Sequence, residues 1–230
     1  MIAESVEKIR ERSDRACLKS GRNASDVTLL AVAKTFPAER IAEVVSCGVR
    51  DIGENYVQEL LAKREALTDA GIRWHFIGHL QSNKVKYIAS WIHLIHAVDS
   101  TRLAEEINRK AESAGRIIDV LLEVNSTGEE SKFGVSPSDV EGLVRSVEHC
   151  GNIRVYGLMT MSLFLPDPEG SRPYYRSMRK LRERLSQLDQ KNVEMKHLSM
   201  GMTGDFEVAI EEGATIVRIG TALFGKRKPG

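Results

Sequence analysis

The residues best suited to carry out chemistry lie where apolar segments end. Lys34 closes the segment VTLLAVAK, residues 27–34, which is apolar on both alternating faces and is typical of a buried parallel strand. Period-two alternation places this lysine on the same face as Leu30 and Val32. If that face is internal, desolvation favours the neutral amine, which is a nucleophile toward carbonyl groups. Taken alone, such a lysine more often reaches solvent or pairs with an acid such as Glu54.

Arg218 holds the corresponding place in the final apolar segment, TIVRI at 215–219, and shares a face with Gly220. The loop that continues this segment, IGTALFG, and the earlier loop LSMGMTGD are both rich in glycine and hydroxyl groups. Loops of this kind bind phosphate dianions through open backbone amides. Tight turns that need glycine for their backbone geometry explain the same residues equally well.

The rest of the chain alternates apolar runs with amphipathic helical patterns. A leading helix is predicted at 2–19. Strands are predicted at 27–34, 49–53, 73–78, 93–98, 117–124, 153–160, 195–200 and 215–219. Helices between and after them are predicted at 38–48, 55–69, 82–90, 100–113, 138–149, 171–190 and 204–212.

Eight strands separated by helices predict an α/β fold, a single (β/α)8 TIM barrel with an extra N-terminal helix. The chain has 230 residues, and about 250 are typical of such barrels. An open doubly wound sheet is the alternative, but no GxGxxG motif follows the first strand. Barrel closure makes the last strand a neighbour of the first, so Lys34 and Arg218 are expected to line one cavity.

A carbonyl-reactive lysine, a phosphate cup and an inward arginine in one barrel mouth together meet the needs of pyridoxal 5'-phosphate. Its aldehyde would react with Lys34, its phosphate would lie in the two glycine-rich loops, and Arg218 would face the pyridine nitrogen. A permanently charged guanidinium disfavours protonation of that nitrogen. The ring would then be a weaker electron sink than one that faces a carboxylate.

Several motifs resemble one protein family over roughly residues 5 to 225. They are AVAKTFP, DIGENYVQE, WHFIGHLQSNK, SKFGV, GLMTM, LSMGMTGDFEVAIEEGAT and VRIGTALFG. The chain is similar in these motifs to the YggS/PROSC group of pyridoxal phosphate homeostasis proteins. That resemblance implies one pyridoxal phosphate-binding barrel domain over 1–230, of the alanine racemase N-terminal type, fold type III.

The resemblance also implies roles for six residues. It implies that Lys34 forms the internal aldimine and that Arg218 contacts the ring nitrogen. It further implies that Asn55 packs near the ring and that the phosphate is held by Ser199, Gly220 and Thr221.

The function implied is reversible storage and supply of the cofactor without turnover, with apoenzymes that use pyridoxal phosphate as partners. An amino-acid racemase with the same cofactor is the main alternative. Racemisation needs acid and base groups on both faces of the substrate carbon, and alanine racemase takes a tyrosine for this from a second domain. A sugar-phosphate aldolase that uses a lysine Schiff base without a cofactor is a third hypothesis. A barrel that needs no partner domain is expected to be a monomer.

Charge and composition exclude other classes. Lys plus Arg is 33 against 32 for Asp plus Glu, a formal charge of +1. The chain therefore has no net electrostatic field that would attract nucleic acid or an anionic membrane. The basic tail at 226–228 is interpreted as a solvated terminus. No apolar run approaches the span of a bilayer, and the N-terminus lacks a secretory pattern. Three separated cysteines fit a reducing cytoplasm.

The six histidines do not have the spacing of a metal-ligand set. His93 and His96 are an odd number of positions apart on a predicted strand and are expected to point to opposite faces. His75 and His79 have no carboxylate or thiol near them in the sequence. No metal site is therefore expected. The Pro-rich loop at 163–170 is either a lid or a surface connection.

Overall fold

The barrel is closed by eight parallel strands that pair in chain order, with the first strand hydrogen-bonded to both the second and the eighth. The computed structural model describes residues 1–68, 71–129, 133–161, 163 and 165–225. The strands are β1 Thr28–Val32, β2 Asp51–Glu54, β3 Arg73–Phe76, β4 Leu94–Val98, β5 Ile118–Glu123, β6 Ile153–Met159, β7 Val193–Met202 and β8 Ile216–Ile219. The predicted barrel is confirmed.

Helices follow most of the strands, and one helix precedes β1. They are α1 Ile2–Lys19, α2 Ala38–Ser46, α3 Val57–Ala66, α4 Thr101–Ser113, α5 Val140–Ser146, α6 Arg172–Leu185, α7 Phe206–Glu211 and α8 Thr221–Phe224. Short 3-10 segments cover Ala24–Asp26, Ser82–Tyr87 and Pro168–Ser171. No helix among the described residues is both long and apolar enough to cross a bilayer.

Two predicted elements differ from the structure in ways that local packing explains. The helix expected at 82–90 is a 3-10 segment that ends at Tyr87. Val85 within it and Ile88 directly after it are both fully buried. Residues three apart share a face in 3-10 geometry, so this short segment buries its two apolar anchors without an α-helix. The helix expected to reach residue 190 ends at Leu185, and Leu188 packs partly buried against the core from the turn that follows.

Strand β7 is longer than the predicted 195–200 and continues to Met202. Its pairing with β8 shifts register between Ser199 and Met202, and Gly201 has a φ of 90°. An added Cβ at Gly201 would lie 2.5 Å from the Cβ of Ala209, so only glycine permits this bulge against α7. The bulge moves the functional end of the strand two residues further along the chain.

The apolar core has two layers. A small cluster fills the barrel interior and comprises Leu30, Leu94, Ala97, Leu121, Met159 and Ile216. The larger cluster lies between the strands and the surrounding helices and includes Ala31 and Ala33 from β1 and its extension. The alternation predicted for the first strand is therefore confirmed, since Leu30 faces inward while Ala31 and Ala33 face the helices.

Candidate functional site

A cavity of about 280 Å³ opens at the C-terminal ends of the strands. Such ends carry the active sites of (β/α)8 barrels. Five of the six predicted site residues line it, namely Lys34, Asn55, Arg218, Gly220 and Thr221. The other walls are largely apolar, with side chains such as Phe36 and Ile77, as is usual for a small-molecule site. The expectation that the first and last strands direct a lysine and an arginine into one cavity is confirmed.

Lys34 lies in a tight turn rather than at the end of a strand. Strand β1 ends at Val32, and the amide of Phe36 donates to the carbonyl of Ala33 at 3.1 Å to close the turn. Thr35 occupies the left-handed region with a φ of 68°. A β-branched residue in that region costs about 1–3 kcal/mol, and the conformation persists because its surroundings impose it. The turn directs Lys34 into the cavity.

Two acidic side chains and one lysine lie directly behind this turn. The Lys63 ammonium, 8% exposed as a residue, donates to Glu54 Oε1 at 2.6 Å and to Glu59 Oε2 at 2.9 Å. Burial raises the pKa of Glu54 to about 7, although its bond with Lys63 acts in the opposite direction. The Glu54 carboxylate therefore pairs with Lys63. From the sequence alone, Lys34 was the partner considered for Glu54.

Asn55 follows β2 and turns its side chain toward the cavity. Its Oδ1 atom is buried and has no hydrogen-bond partner within the described part of the chain. A Cβ on Gly78 would lie 2.3 Å from the Asn55 carbonyl oxygen, so glycine is required for this close approach. A buried acceptor without a partner is costly.

Arg218 is fixed by three acceptors, two on Ser199 of the neighbouring strand β7 and one on Thr160, which directly follows β6. Its Nη1 donates to the carbonyl of Ser199 at 2.7 Å and to the Ser199 hydroxyl at 2.8 Å. Its Nη2 donates to the carbonyl of Thr160 at 2.8 Å. Burial lowers the pKa of Arg218, but a guanidinium stays charged in proteins. The cavity thus has an immobile cation in its wall.

Ser199 does not line the cavity, although the family resemblance implies that it holds the phosphate. Its side chain is fully buried and serves as a partner of Arg218 and of His96. The bulge in β7 explains the difference, because Ser199 sits three residues inside the strand instead of at its end. Thr203, which sequence reasoning missed, lines the cavity at the true strand end. The hydroxyl and glycine in MTGD were the signal that could have identified it.

Asp205 holds the loop after β7 in place. Its Oδ2 accepts hydrogen bonds from the Tyr175 hydroxyl at 2.7 Å and from the Ser171 hydroxyl at 3.1 Å. Its Oδ1 accepts from the amide of Met202 at 2.8 Å. These contacts fix the backbone that carries Thr203, whose Oγ1 accepts from the amide of Ala222 in α8 at 3.4 Å.

A buried relay of hydrogen bonds runs through the barrel interior from the Arg218 side to the opposite end. Ser199 Oγ lies 3.0 Å from His96 Nδ1, His96 Nε2 lies 2.9 Å from His75 Nδ1, and His75 Nε2 lies 3.0 Å from Asp51 Oδ1. Burial lowers the pKa of both histidines, so both are neutral. Because a guanidinium only donates and a carboxylate only accepts, every bond in the relay points from Arg218 toward Asp51.

His93 corrects an expectation about the histidines. The His93 and His75 rings are 5.1 Å apart, and the His96 and His75 rings are 5.2 Å apart. His93 and His96 therefore both approach His75 and do not diverge. His93 precedes Leu94, the first residue of β4, so strand alternation does not apply to it.

The expectation that His75 has no carboxylate partner is also wrong, because β2 brings Asp51 beside it. The ligand atoms of Asp51, His75 and His93 all lie within 4.8 Å of one another. The Asp51 carboxylate already accepts two hydrogen bonds from Arg73, however. Burial alone would raise the pKa of Asp51, but the bonds from Arg73 and His75 hold it well below its ordinary value. Hydrogen bonds and charge pairing account for this cluster.

The fold and cavity define a class of barrel in which a lysine after the first strand and an arginine on the last strand share one site. The model of the alanine racemase N-terminal domain family matches residues 12–228. The chain is 49% identical over 225 residues to a pyridoxal phosphate homeostasis protein of Aquifex aeolicus, and the match covers 98% of each chain. It is 42% identical over 230 residues to the corresponding protein of Pseudomonas aeruginosa, covering 100% of this chain and 97% of the relative.

A solved structure agrees with these sequence relatives. PipY of Synechococcus elongatus PCC7942, with pyridoxal phosphate bound, is 34% identical and superposes with a TM-score of 0.83, covering 98% of this chain and 100% of PipY. The chain belongs to the pyridoxal phosphate homeostasis protein family. The resemblance inferred from the motifs is confirmed.

Proposed function

We propose that this chain binds pyridoxal phosphate in the cavity at the strand ends, attaches it through Lys34, and serves as a reversible store of the cofactor. The observation that carries the proposal is the meeting of Lys34, Arg218 and Asn55 in one cavity. The family membership and the bound PipY structure support it.

Each proposed contact follows from the chemistry of a side chain that lines the cavity. Pyridoxal phosphate supplies an aldehyde that condenses with a neutral lysine amine, forming a carbon–nitrogen double bond and releasing one water molecule. Arg218 presents a fixed donor to the ring nitrogen and keeps that nitrogen unprotonated. Asn55 would contact the ring from the cavity wall.

We assign the phosphate to the loops after β7 and β8. Thr203 and Thr221 bring hydroxyl groups to the cavity, and Gly220 brings backbone without a side chain. An added Cβ at Gly204 would meet no heavy atom within 4 Å, so the loop backbone there is open. Ser199 acts on this site only through Arg218.

The proposed role is storage and supply to apoenzymes rather than turnover. A racemase needs proton-transfer groups on both faces of the substrate carbon. No tyrosine is among the described residues that line the cavity. Tyr175 is fully buried with its hydroxyl bonded to Asp205, and Tyr56 is exposed at the surface. We further propose that the chain acts as a single barrel and as a monomer.

The test is borohydride reduction of the protein after incubation with pyridoxal phosphate, followed by intact-mass and peptide mass spectrometry. We expect one reduced adduct on Lys34, its loss in Lys34→Ala, and no change in Lys8→Ala, whose lysine is exposed on α1. An adduct on another lysine, or none at all, refutes the proposal.

Two further measurements separate the alternatives. Solvent deuterium incorporation at the α-carbon of amino acids that depends on Lys34 would establish a racemase. Trapping of a sugar phosphate by the cofactor-free protein would establish an aldolase.

A further inference from the structure

The turn that carries Lys34 is held on both sides by one group of charged residues, Glu54, Glu59 and Lys63, called here the α3 clamp. Glu54 is the last residue of β2, and Glu59 and Lys63 lie one turn apart on α3. Glu54 and Lys63 are buried, while Glu59 has 32% of its side chain exposed. The clamp does not line the cavity wall within the described part of the chain.

The clamp contacts the residue before Lys34 and the residue after it. The Lys63 ammonium donates to the carbonyl of Ala33 at 2.9 Å. Glu59 Oε2 accepts the amide of Thr35 at 2.9 Å. The second contact falls on the residue whose backbone has the left-handed φ of 68°. Conformations of that kind persist when the surrounding structure imposes them.

The donors of the Lys63 ammonium are all used within the clamp and the turn. The three N–H groups of the Lys63 ammonium meet three acceptors: the Ala33 carbonyl, Glu54 Oε1 and Glu59 Oε2. An ammonium has no further donors, so Lys63 is committed to the clamp and is not the amine presented to the cavity. A lysine at this buried helical position is costly unless it is paired.

We propose that the α3 clamp is a positioning device for the covalent lysine: by fixing both peptide groups that flank Lys34, it holds the amine where an aldehyde in the cavity meets it. The inference rests on the proposed function and deepens it. The clamp is expected to act on covalent attachment and not on recognition of the ring or phosphate, because Arg218, Thr203 and Thr221 lie on other elements.

The experiment compares two ligands that differ at the reactive group. Pyridoxal 5'-phosphate carries the aldehyde, whereas pyridoxine 5'-phosphate has the same ring and phosphate with an alcohol in its place. Covalent attachment is measured by absorbance titration and by the borohydride-trapped fraction in intact-mass spectra. Binding of pyridoxine 5'-phosphate is measured by calorimetric titration.

Lys63→Met is expected to weaken attachment of pyridoxal 5'-phosphate about ten- to a hundredfold, because charge-assisted bonds to the turn are lost. Its affinity for pyridoxine 5'-phosphate is expected to change less than about threefold. Glu59→Ala provides a second variant if Lys63→Met does not fold, because it leaves the buried lysine in place. Glu59→Gln retains an acceptor for the Thr35 amide and is expected to recover most of the attachment.

Glu65→Ala is the matched control, because Glu65 is exposed on the same helix. Equal losses for both ligands would overturn the clamp, since the group would then support the whole cavity. Unchanged attachment in folded Lys63→Met and Glu59→Ala would overturn it as well. Wild-type protein that binds pyridoxine 5'-phosphate yet never attaches pyridoxal 5'-phosphate would overturn the proposed covalent function, and this inference with it.

Discussion

The two ends of the barrel have cavities of similar size with different linings. The cavity at the C-terminal end encloses about 280 Å³ and has mostly apolar walls, with Lys34, Arg218 and Asn55 among them. The cavity beside the N-terminal end encloses about 350 Å³ and is lined by charged residues that include Asp51 and Arg73. Those two side chains form a bidentate pair.

The difference teaches that volume does not identify a ligand site in this fold. At the N-terminal end, Asp51 is satisfied by Arg73 and by the histidine relay, so a ligand would have to displace existing bonds. At the C-terminal end, Lys34 and Arg218 lie in walls that are largely apolar. Charged groups set in largely apolar walls distinguish the binding end.

The strongest test of the comparison removes hydroxyl groups from the C-terminal cavity. The double variant Thr203→Val/Thr221→Val is expected to weaken retention of pyridoxal phosphate about 30- to 100-fold, because two hydrogen bonds to a charged phosphate are lost. Thermal stability is expected to stay nearly unchanged, since both side chains border the cavity. Affinity is measured by equilibrium dialysis.

Ser199→Ala is the matched control, because it removes a hydroxyl that lies outside the cavity wall. We expect it to reduce affinity less than about threefold, since Arg218 keeps both carbonyl partners. A loss as large as that of the double variant would restore Ser199 as the phosphate contact predicted from the sequence.

A substitution at the N-terminal end is expected to lower the stability of the fold and to leave cofactor affinity nearly unchanged. Asp51→Asn removes the carboxylate that pairs with Arg73 and accepts from His75. The free energy of unfolding is expected to fall by about 2–3 kcal/mol, measured by urea denaturation. Cofactor affinity is expected to change little. Large loss of affinity at unchanged stability would show that the N-terminal end belongs to the binding site.

The smallest effect concerns pH and Glu123 at the C-terminal end of β5. Burial raises the pKa of Glu123 to about 7 from an ordinary 4.5, with the Asp99 carboxylate acting in the same direction. The folded protein therefore binds a proton between pH 4.5 and 7 that the unfolded chain has released. The free energy of unfolding must then decrease as pH rises through that window.

Glu123→Gln is expected to remove this contribution. The variant should be more stable than wild type by about 1–3 kcal/mol at pH 8 and nearly equal to it at pH 4.5. Denaturation of both proteins across this range measures the difference, in which the contributions of other titrating groups cancel. A constant difference at all pH values would contradict the raised pKa.

Much of the fold and part of the site could be predicted from local pattern. The repeated alternation of apolar runs and helical segments predicted the eight-stranded barrel, and alternation within β1 placed Leu30 inside. The position of Ser199 could not be predicted, because the bulge at Gly201 depends on how closely α7 packs against β7. A strand that is extended by a bulge has the same apolar pattern as one that ends earlier.

By itself, the sequence determined the barrel, the shared cavity of Lys34 and Arg218, and the family, because period-two alternation and motif order are properties of the chain alone. Only the tertiary structure decided which polar groups are satisfied. Asp51 meets His75, and Lys63 meets the turn around Lys34, through contacts between elements that lie apart in the chain. Hydrogen bonds need atoms at about 3 Å with the correct direction, and only the folded geometry fixes both.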